Sequence, residues 1–303
     1  MKSKKILITG ASGKVAEAFT RIATVETDYE LVLLSRDPDR MDYDPRHKTY
    51  EVSVGDIKKV KKICYEEKPD VILNAAAMTD VDKCELERKN CWDTNVIAVE
   101  NLASAAKVLD CHLIAFSTDY IFDGLKGPYP EDGRPNPLSY YGKSKHACEN
   151  ICIGEVNKST VIRTNVVYGH SSYGKPDFIQ WVAKNLSKDK ELKIITGQFC
   201  NPTLTDDIAY GLMKIIDKER FGIYNFAGND WLNRYEIALK VAEVFQFNKE
   251  LIEKLSPQEF KQNAKRPEKG GLINLKAETD LNIKFCDLER GLTILKNQLN
   301  LKN

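Results

Sequence analysis

An α/β fold built on a doubly wound parallel sheet is the prediction for this chain, and two features of the sequence carry it. Short, continuous apolar runs alternate with amphipathic stretches across residues 6–169. Such runs are typical of strands buried on both faces, and amphipathic stretches are typical of the helices that cover them. A glycine-rich turn also follows the first run directly, as it does in dinucleotide-binding Rossmann sheets.

The predicted elements follow one another along the first half of the chain. Apolar runs predict strands at residues 6–8, 31–34, 50–54, 71–73, 112–116 and 161–162. Helical patterns lie between them, including 15–22, 56–67 and 94–109. The run at 50–54 is the weakest of these signals. Alternation of strand and helix at this rhythm predicts parallel strands with helices packed on the sheet.

The rhythm changes twice along the chain. Glycines and prolines crowd residues 123–137, which predicts a loop. After Gly169 the pattern is irregular, but later elements are expected to rejoin the sheet, namely a strand at 192–195, a helix at 206–216 and a strand at 223–225. We therefore expect a dinucleotide-binding Rossmann domain of residues 1–169 plus about 190–226, and a smaller substrate-binding lobe of residues 170–189 and 227–303.

Composition argues against several classes of function. Lysine plus arginine number 45 and aspartate plus glutamate 44, so a net charge of +1 gives no reason to expect nucleic acid or a membrane surface as a partner. Eight cysteines without a Cys-x-x-Cys pair predict buried free thiols, and the four histidines form no convincing metal cluster. No apolar run approaches the roughly 18 residues of a membrane helix, and the first strand leaves no room for a signal peptide. We expect a cytoplasmic protein.

The turn after the first strand has the composition of a phosphate-binding loop. The segment Thr9-Gly10-Ala11-Ser12-Gly13-Lys14-Val15-Ala16 has glycines at the first two positions of a Gly-x-x-Gly-x-x-Gly pattern and a small residue at the third. Glycine permits a tight turn and lets backbone amides approach a diphosphate, which the helix N-terminus then favours. We therefore expect Gly10, Ser12 and Gly13 to contact a dinucleotide.

The end of the second strand discriminates between the two nicotinamide cofactors. A carboxylate there binds the ribose 2′-hydroxyl, whereas a basic residue accommodates a 2′-phosphate. Here the strand ends in Ser35 and Arg36, and a guanidinium suits phosphate geometry. We predict NADP(H), with NAD(H) left open, since Arg36 is otherwise an exposed loop residue.

Two more segments follow strands on the same edge of the predicted sheet. Asp56 and Ile57 come after the third strand, where they are expected to contact the adenine. Asn74 and the alanines Ala75-Ala76-Ala77 come after the fourth. Small side chains at that point let the backbone lie against a cofactor, although they also suit a well-packed strand exit.

Tyr141 and Lys145 supply the chemistry that this arrangement predicts. Residues four apart share one face of a helix. A nearby ammonium favours the phenolate and is expected to lower the pKa of Tyr141, so that the phenol exchanges a proton with a carbonyl or alcohol oxygen. Thr118, in the segment Ser117-Thr118-Asp119-Tyr120, is placed to hydrogen-bond the same oxygen. Tyr-x-x-x-Lys is common by chance, and its significance depends on its order behind the glycine loop.

Assembled, these motifs resemble the dTDP-4-dehydrorhamnose reductase family of the extended short-chain dehydrogenases/reductases. The matching segments are Thr9–Gly13, Pro69–Ala77, Val81–Glu85, Asn95, Ser117–Gly124, Tyr141-Gly142 with Lys145, Arg163-Thr164 with Val166–Tyr168, and Pro202-Thr203. The resemblance implies that Tyr141 is the proton donor and that Lys145 orients the nicotinamide ribose. It also implies that Thr118, Asp119 and Tyr120 lie at the sugar, and that Lys14 and Val15 line the cofactor.

The chain departs from the family pattern at three places. The usual tryptophan after Arg-Thr-x is Val166, which we place in the substrate site, and the histidine often found after the alanines is Met78. The late basic-proline segment survives only as Lys265-Arg266-Pro267. These changes leave the fold and the hydride chemistry in place but bear on the identity of the substrate.

Three functions therefore compete. The first is NADPH-dependent reduction of the 4-keto group of a nucleotide-linked deoxysugar. The second is a nucleotide-sugar epimerase or dehydratase, although dehydratases usually carry an Asp-Glu pair where this chain has Asp119-Tyr120. The third is a noncatalytic regulatory subunit like that of methionine adenosyltransferase. The resemblance leaves a homodimer and interfacial Mg²⁺ open.

Overall fold

A computed structural model describes residues 3–38, 44–174, 176–259 and 262–299 of the chain. Its strands are β1 (Lys5–Thr9), β2 (Glu30–Ser35), β3 (Lys48–Glu51), β4 (Val71–Asn74), β5 (His112–Thr118), β6 (Ser159–Thr164), β7 (Val167–Tyr168), β8 (Leu192–Ile195), β9 (Thr203–Leu204), β10 (Gly222–Asn225) and β11 (Ile252–Leu255). Its helices are α1 (Lys14–Glu26), α2 (Ile57–Glu67), α3 (Val81–Leu86), α4 (Arg88–Trp92), α5 (Ala98–Leu109), α6 (Tyr140–Glu155), α7 (Phe178–Leu186), α8 (Thr205–Asp217), α9 (Arg234–Phe245), α10 (Leu275–Leu281) and α11 (Leu288–Gln298).

Seven parallel strands form the central sheet in the order β10-β6-β5-β4-β1-β2-β3. The predicted doubly wound α/β fold is therefore confirmed. The chain builds outward from β1 through β2 and β3, then returns to β4 beside β1 and builds in the other direction. The connections after β1 and β4 consequently diverge at the carboxyl edge, where such sheets leave a crevice for ligands.

Helices cover the sheet on both faces, which explains its continuous apolar strands. Because side chains alternate along a strand, Ile6 and Ile8 pack in one core with Phe19 of α1, whereas Leu7 packs in the other core with Leu102 of α5. All of these side chains are fully buried. The eight cysteines are also buried and unpaired, as predicted.

A smaller core lies apart from the central sheet. Here β8 pairs with β11 in a separate two-stranded sheet, and α7, α9 and α11 pack around it. The prediction that residues 192–195 rejoin the central sheet is wrong, whereas β10 does join it beside β6. The exposed Lys193 between buried Leu192 and Ile194 shows the reason. A strand covered on one face alternates, unlike the strands buried on both faces.

The third strand ends earlier than predicted. The sequence favoured 50–54, but β3 covers Lys48–Glu51, so residues 52–54 lie beyond the sheet. The helix predicted at 94–109 is α5, and a π-helical turn, Asp93–Ile97, joins it to α4. Among the helices described, none is long and apolar enough to cross a membrane.

Candidate active site

Two cavities open side by side along the carboxyl edge of the central sheet. One, of about 830 Å³, lies beside the glycine loop and the end of β2. The other, of about 620 Å³, lies at the end of β5 and the start of α6. We call them the loop cavity and the tyrosine cavity. Gly13, Ala75, Ala77 and Thr79 line both, so the two form one continuous cleft.

The glycine loop closes one side of this cleft against the connection after β4. Gly10 has a φ of +65°, and an added Cβ would lie 2.7 Å from the backbone of Ala76. A side chain at residue 10 would therefore separate the two connections at the crevice. Gly13 comes directly before α1, so the helix N-terminus faces the cleft beside Ser12.

The loop cavity fits a nicotinamide dinucleotide. The amides at the start of α1 suit a diphosphate, and the exposed Arg36 at the end of β2 suits a ribose phosphate. Ser35 also lines this cavity, although its hydroxyl already accepts a hydrogen bond from the Asp37 amide at 3.2 Å. Ala76 lies on the opposite wall, with the two alanines that line both cavities.

Three residues expected at the cofactor do not line either cavity. The Asp56 carboxylate caps α2 and accepts the Lys59 amide at 3.1 Å, and Ile57 is the first residue of that helix. The buried Asn74 accepts the Thr9 hydroxyl at 2.6 Å, which ties β4 to β1. Residues 52–54 line the loop cavity in their place, because β3 ends before them.

Lys14 and Val15 line the tyrosine cavity, and Lys14 is already engaged there. Its ammonium forms an ion pair with Asp177 at 3.0 Å and donates to the Gly169 carbonyl and the Gln180 side chain at 2.9 Å each. Asp177 is also the N-cap of α7. Lys14 therefore links the first turn of α1 to the start of α7.

The tyrosine cavity brings together the three residues predicted to perform the chemistry. Tyr141 and Lys145 lie one turn apart on α6, and Thr118 ends β5 beside them. Gly142 lets the helix approach this strand end, because an added Cβ would overlap the carbonyl oxygen of Tyr120. Ser139 caps the helix by accepting the Gly142 amide at 3.1 Å. Close packing at a glycine therefore sets the position of Tyr141.

The acidity of Tyr141 differs from the prediction. Burial raises the pKa of this phenol above its ordinary value, and the nearby Cys84 and Asp119 act in the same direction, while the Thr118 hydroxyl opposes them. The spacing to Lys145 had predicted a lowered pKa. Burial dominates in this structure, so the phenol retains its proton at neutral pH, which is the state that an acid requires.

The π-helical turn before α5 is hydrogen-bonded to α6, the helix that carries Tyr141. Asn95, 1 % exposed, donates to the Ser144 hydroxyl at 3.0 Å and accepts the Met78 amide at 2.8 Å. Ser144 in turn donates to the Tyr141 carbonyl at 2.7 Å. Asn95 thereby connects the chain after the alanines to the backbone of Tyr141. The sequence singled out Asn95 without assigning it this contact.

Asp119 lines the tyrosine cavity but is almost fully buried. Its carboxylate accepts hydrogen bonds from the Asn165 side chain at 3.1 Å and the Gly271 amide at 3.0 Å. Burial raises the pKa of Asp119, and these two donors oppose the rise. The Thr118 hydroxyl, which donates to the same carboxylate at 3.2 Å, and the charge of Arg234 also oppose it. Tyr120 and Val166 line the same cavity, and Val166 has a φ of +39°, a strained value for a β-branched residue.

Residues 264–272, which we call the strap, return to the site from the distant end of the chain. The Arg266 guanidinium forms an ion pair with Asp82, which also accepts the Ala264 amide at 2.9 Å. The Gly271 carbonyl accepts the Tyr129 amide at 3.0 Å. Sequence reasoning assigned no contacts to the strap, and it also missed Asn165 and Arg234 in the tyrosine cavity. The only indication of Asn165 and Arg234 in the sequence is that both follow the sixth predicted strand.

In the part of the chain that the structure describes, no three His, Cys, Asp or Glu side chains are grouped so that they could hold a metal ion.

The family model of the RmlD substrate-binding domain matches residues 4–300. The chain belongs to the RmlD family. The resemblance drawn from the motifs is confirmed.

Relatives and solved structures that this RmlD-family chain resembles include reductases and a regulatory subunit. A dTDP-4-dehydrorhamnose reductase from Aggregatibacter actinomycetemcomitans is 32% identical over 301 residues, covering 95% of this chain and 97% of the relative. Methionine adenosyltransferase 2 subunit beta from Xenopus laevis is 30% identical over 249 residues, covering 80% and 72%. A crystal structure of a dTDP-4-dehydrorhamnose reductase from Clostridium acetobutylicum matches with a TM-score of 0.88 at 28% identity, covering 98% and 100%.

Proposed function

We propose that this RmlD-family protein uses NADPH to reduce the 4-keto group of a nucleotide-linked deoxysugar. The observation that carries the proposal is that Tyr141, Lys145 and Thr118 meet in the tyrosine cavity, which is continuous with the loop cavity. The relatives named as dTDP-4-dehydrorhamnose reductases support this chemistry and substrate class.

The reaction needs a hydride at the carbonyl carbon and a proton at the carbonyl oxygen. A nicotinamide cofactor, when held by the residues that line the cleft, would supply the hydride. Tyr141 donates the proton as negative charge develops on the oxygen. The Thr118 hydroxyl, which donates to Asp119 at 3.2 Å in this structure, would turn to that oxygen and hold it in place. The resulting phenolate is stabilised by the Lys145 ammonium, which is 3 % exposed. The Lys145 ammonium forms no hydrogen bond with any other described residue, so its donors are available to a ribose hydroxyl.

The alternative of a dehydratase requires a second acid or base near the sugar. Asp119 is the carboxylate in the segment after β5, but it is 2 % exposed and already accepts from Asn165 and Gly271. A carboxylate held in this way is poorly placed to exchange protons with a substrate. This arrangement favours the reductase.

The alternative of a regulatory subunit has an observation of its own. The 30% identity to methionine adenosyltransferase 2 subunit beta extends over 249 residues. A binding protein can retain Tyr141 and Lys145, so only turnover distinguishes the two functions. We keep this as the second candidate.

Turnover of 4-keto sugars is the test of the proposed function. The protein is mixed with NADPH and each of several 4-keto-6-deoxy nucleotide sugars, and the loss of NADPH absorbance is followed. We expect oxidation with at least one of them. Because Val166 lacks the aromatic face usual in the family, the preferred sugar need not be the dTDP-linked rhamnose precursor; that face is typically worth only about 0.5–1.5 kcal/mol. Oxidation with none, together with tight binding to a methionine adenosyltransferase catalytic subunit, would support the regulatory alternative.

Cofactor preference should depend on Arg36. We expect the unmodified protein to bind NADPH more tightly than NADH, and Arg36→Asp to narrow or reverse that preference. A hydrogen bond to a charged group is worth about 1.5–3 kcal/mol, so NADPH affinity should fall by tenfold or more. Titration of each cofactor by fluorescence measures both affinities. Arg220→Asp, at an exposed arginine lining neither cavity, is the control and should change neither. Equal affinities in the unmodified protein would refute the prediction.

A further inference from the structure

Three cationic side chains line the tyrosine cavity, and they differ in the groups with which each one interacts. Lys14 is paired with Asp177 at 3.0 Å. Lys145 lies beside Tyr141, deep in the cavity, where the proposed chemistry uses it. Arg234, the first residue of α9, is half-buried and has no carboxylate within ion-pair distance in the described ranges.

The guanidinium of Arg234 is held in place without using its donors. Its Cζ lies over the Phe178 ring, 4.7 Å from the ring centre, a cation–π contact that restrains the position of the group. No acceptor among the described residues receives a hydrogen bond from it. Glu236, two residues further along α9, is occupied in a capping box, where it accepts the Asn233 amide at 2.8 Å.

A second arginine, near Tyr120, has its charge and donors paired within the protein. Arg266 of the strap forms its ion pair with Asp82 and also donates to the Ala264 carbonyl at 3.1 Å. It does not line the tyrosine cavity. Asp119 lines that cavity, but Asn165 and Gly271 already donate to its carboxylate. The charge of Arg234 acts on Asp119 and opposes the rise in the pKa of that carboxyl, but the structure shows no ion pair or hydrogen bond between the two. The donors of the Arg234 guanidinium are therefore left for a ligand, because a partly buried charge is costly unless it is paired.

We propose that Arg234 binds the diphosphate of the nucleotide-linked substrate, an assignment that rests on the proposed function. A guanidinium presents parallel N–H donors that match phosphate oxygens in a bidentate manner. The start of α9 adds a weaker attraction for an anion. With the diphosphate at Arg234, the sugar extends toward Thr118 and Tyr141 across the same cavity.

Binding of a free nucleoside diphosphate tests this assignment without turnover. The NADPH-loaded protein is titrated with dTDP and with UDP by calorimetry, alongside Arg234→Gln, Arg234→Lys and the control Arg290→Gln at an exposed arginine on α11. We expect Arg234→Gln to weaken binding of the preferred diphosphate by tenfold or more. Arg234→Lys should lose less, because it keeps the charge but not the bidentate geometry, and the control should bind normally.

Salt dependence gives a second readout that a purely structural role would not produce. Added salt should weaken diphosphate binding to the unmodified protein more steeply than to Arg234→Gln, because the variant lacks the screened charge. Thermal unfolding of each variant verifies that it is folded. Unchanged affinity or an unchanged salt slope in Arg234→Gln overturns the assignment, as does failure of the unmodified protein to bind either nucleoside diphosphate.

The two proposals can fail separately. If no 4-keto sugar is reduced but diphosphate binding depends on Arg234, the reductase proposal fails and the anion site stands. If sugars are reduced and Arg234→Gln leaves KM unchanged, the reductase stands and the assignment of Arg234 fails.

Discussion

Replacement of Tyr141 with phenylalanine is expected to lower kcat by about two to four orders of magnitude, the usual contribution of a positioned acid. The ring and its packing are kept, and only the hydroxyl that donates the proton is removed. Binding of NADPH should persist, because the loop cavity is unchanged. Steady-state rates with a reducible 4-keto nucleotide sugar, compared with cofactor titration, separate the two effects.

The neighbouring tyrosine provides a matched control for this experiment. Tyr140 precedes Tyr141 on α6, but its ring packs against Trp92 and Arg88 and does not line the tyrosine cavity. Tyr140→Phe should therefore retain turnover. Full activity of Tyr141→Phe on the same substrate would show that the proton comes from another group.

Glu149→Gln is expected to destabilise the protein by about 3–5 kcal/mol, the usual cost of leaving one member of a buried ion pair without its partner. Arg163 donates to both oxygens of Glu149, at 2.9 and 2.8 Å, and the two side chains are 2 % and 4 % exposed. Glutamine keeps the shape but removes the charge. Unfolding in urea, monitored by circular dichroism, measures the difference in the free energy of unfolding.

This ion pair matters to the site because it joins α6, the helix that carries Tyr141, to β6. Arg163 also donates to the Glu131 carbonyl at 2.7 Å, which holds the loop between β5 and α6. Glu155→Gln, at the exposed end of the same helix, is the control and should stay within about 0.5 kcal/mol. A loss below about 1 kcal/mol for Glu149→Gln would mean that the pair contributes little net stability.

Local sequence patterns predicted those features that depend on neighbouring residues. The alternation of apolar strands and amphipathic helices predicted the doubly wound sheet, since each pattern reports how many faces of one element are buried. Residues 192–195 also read as a strand, and they are one. Their pairing partner, however, lies about 60 residues away in β11, and a distant partner leaves no mark on the local pattern.

The residues of the site divide in the same way. Gly10, Gly13, Tyr141 and Lys145 line the cleft as expected, because a tight turn and a helical repeat of four are local properties. Asp56 looked equally suitable, yet its carboxylate caps α2, because β3 ends early and residues 52–54 take the place beside the cleft.

The sequence by itself determined the fold class, the family, and the order of glycine loop, threonine and tyrosine along the chain. Only the tertiary structure decided how these groups behave. Burial raises the pKa of Tyr141, although its spacing to Lys145 suggested the opposite. Asp119 is enclosed by Asn165 and Gly271, and Arg234 lines the same cavity without a carboxylate at ion-pair distance in the described residues. Desolvation and charge pairing depend on contacts between distant segments, and these contacts exist only once the chain has folded.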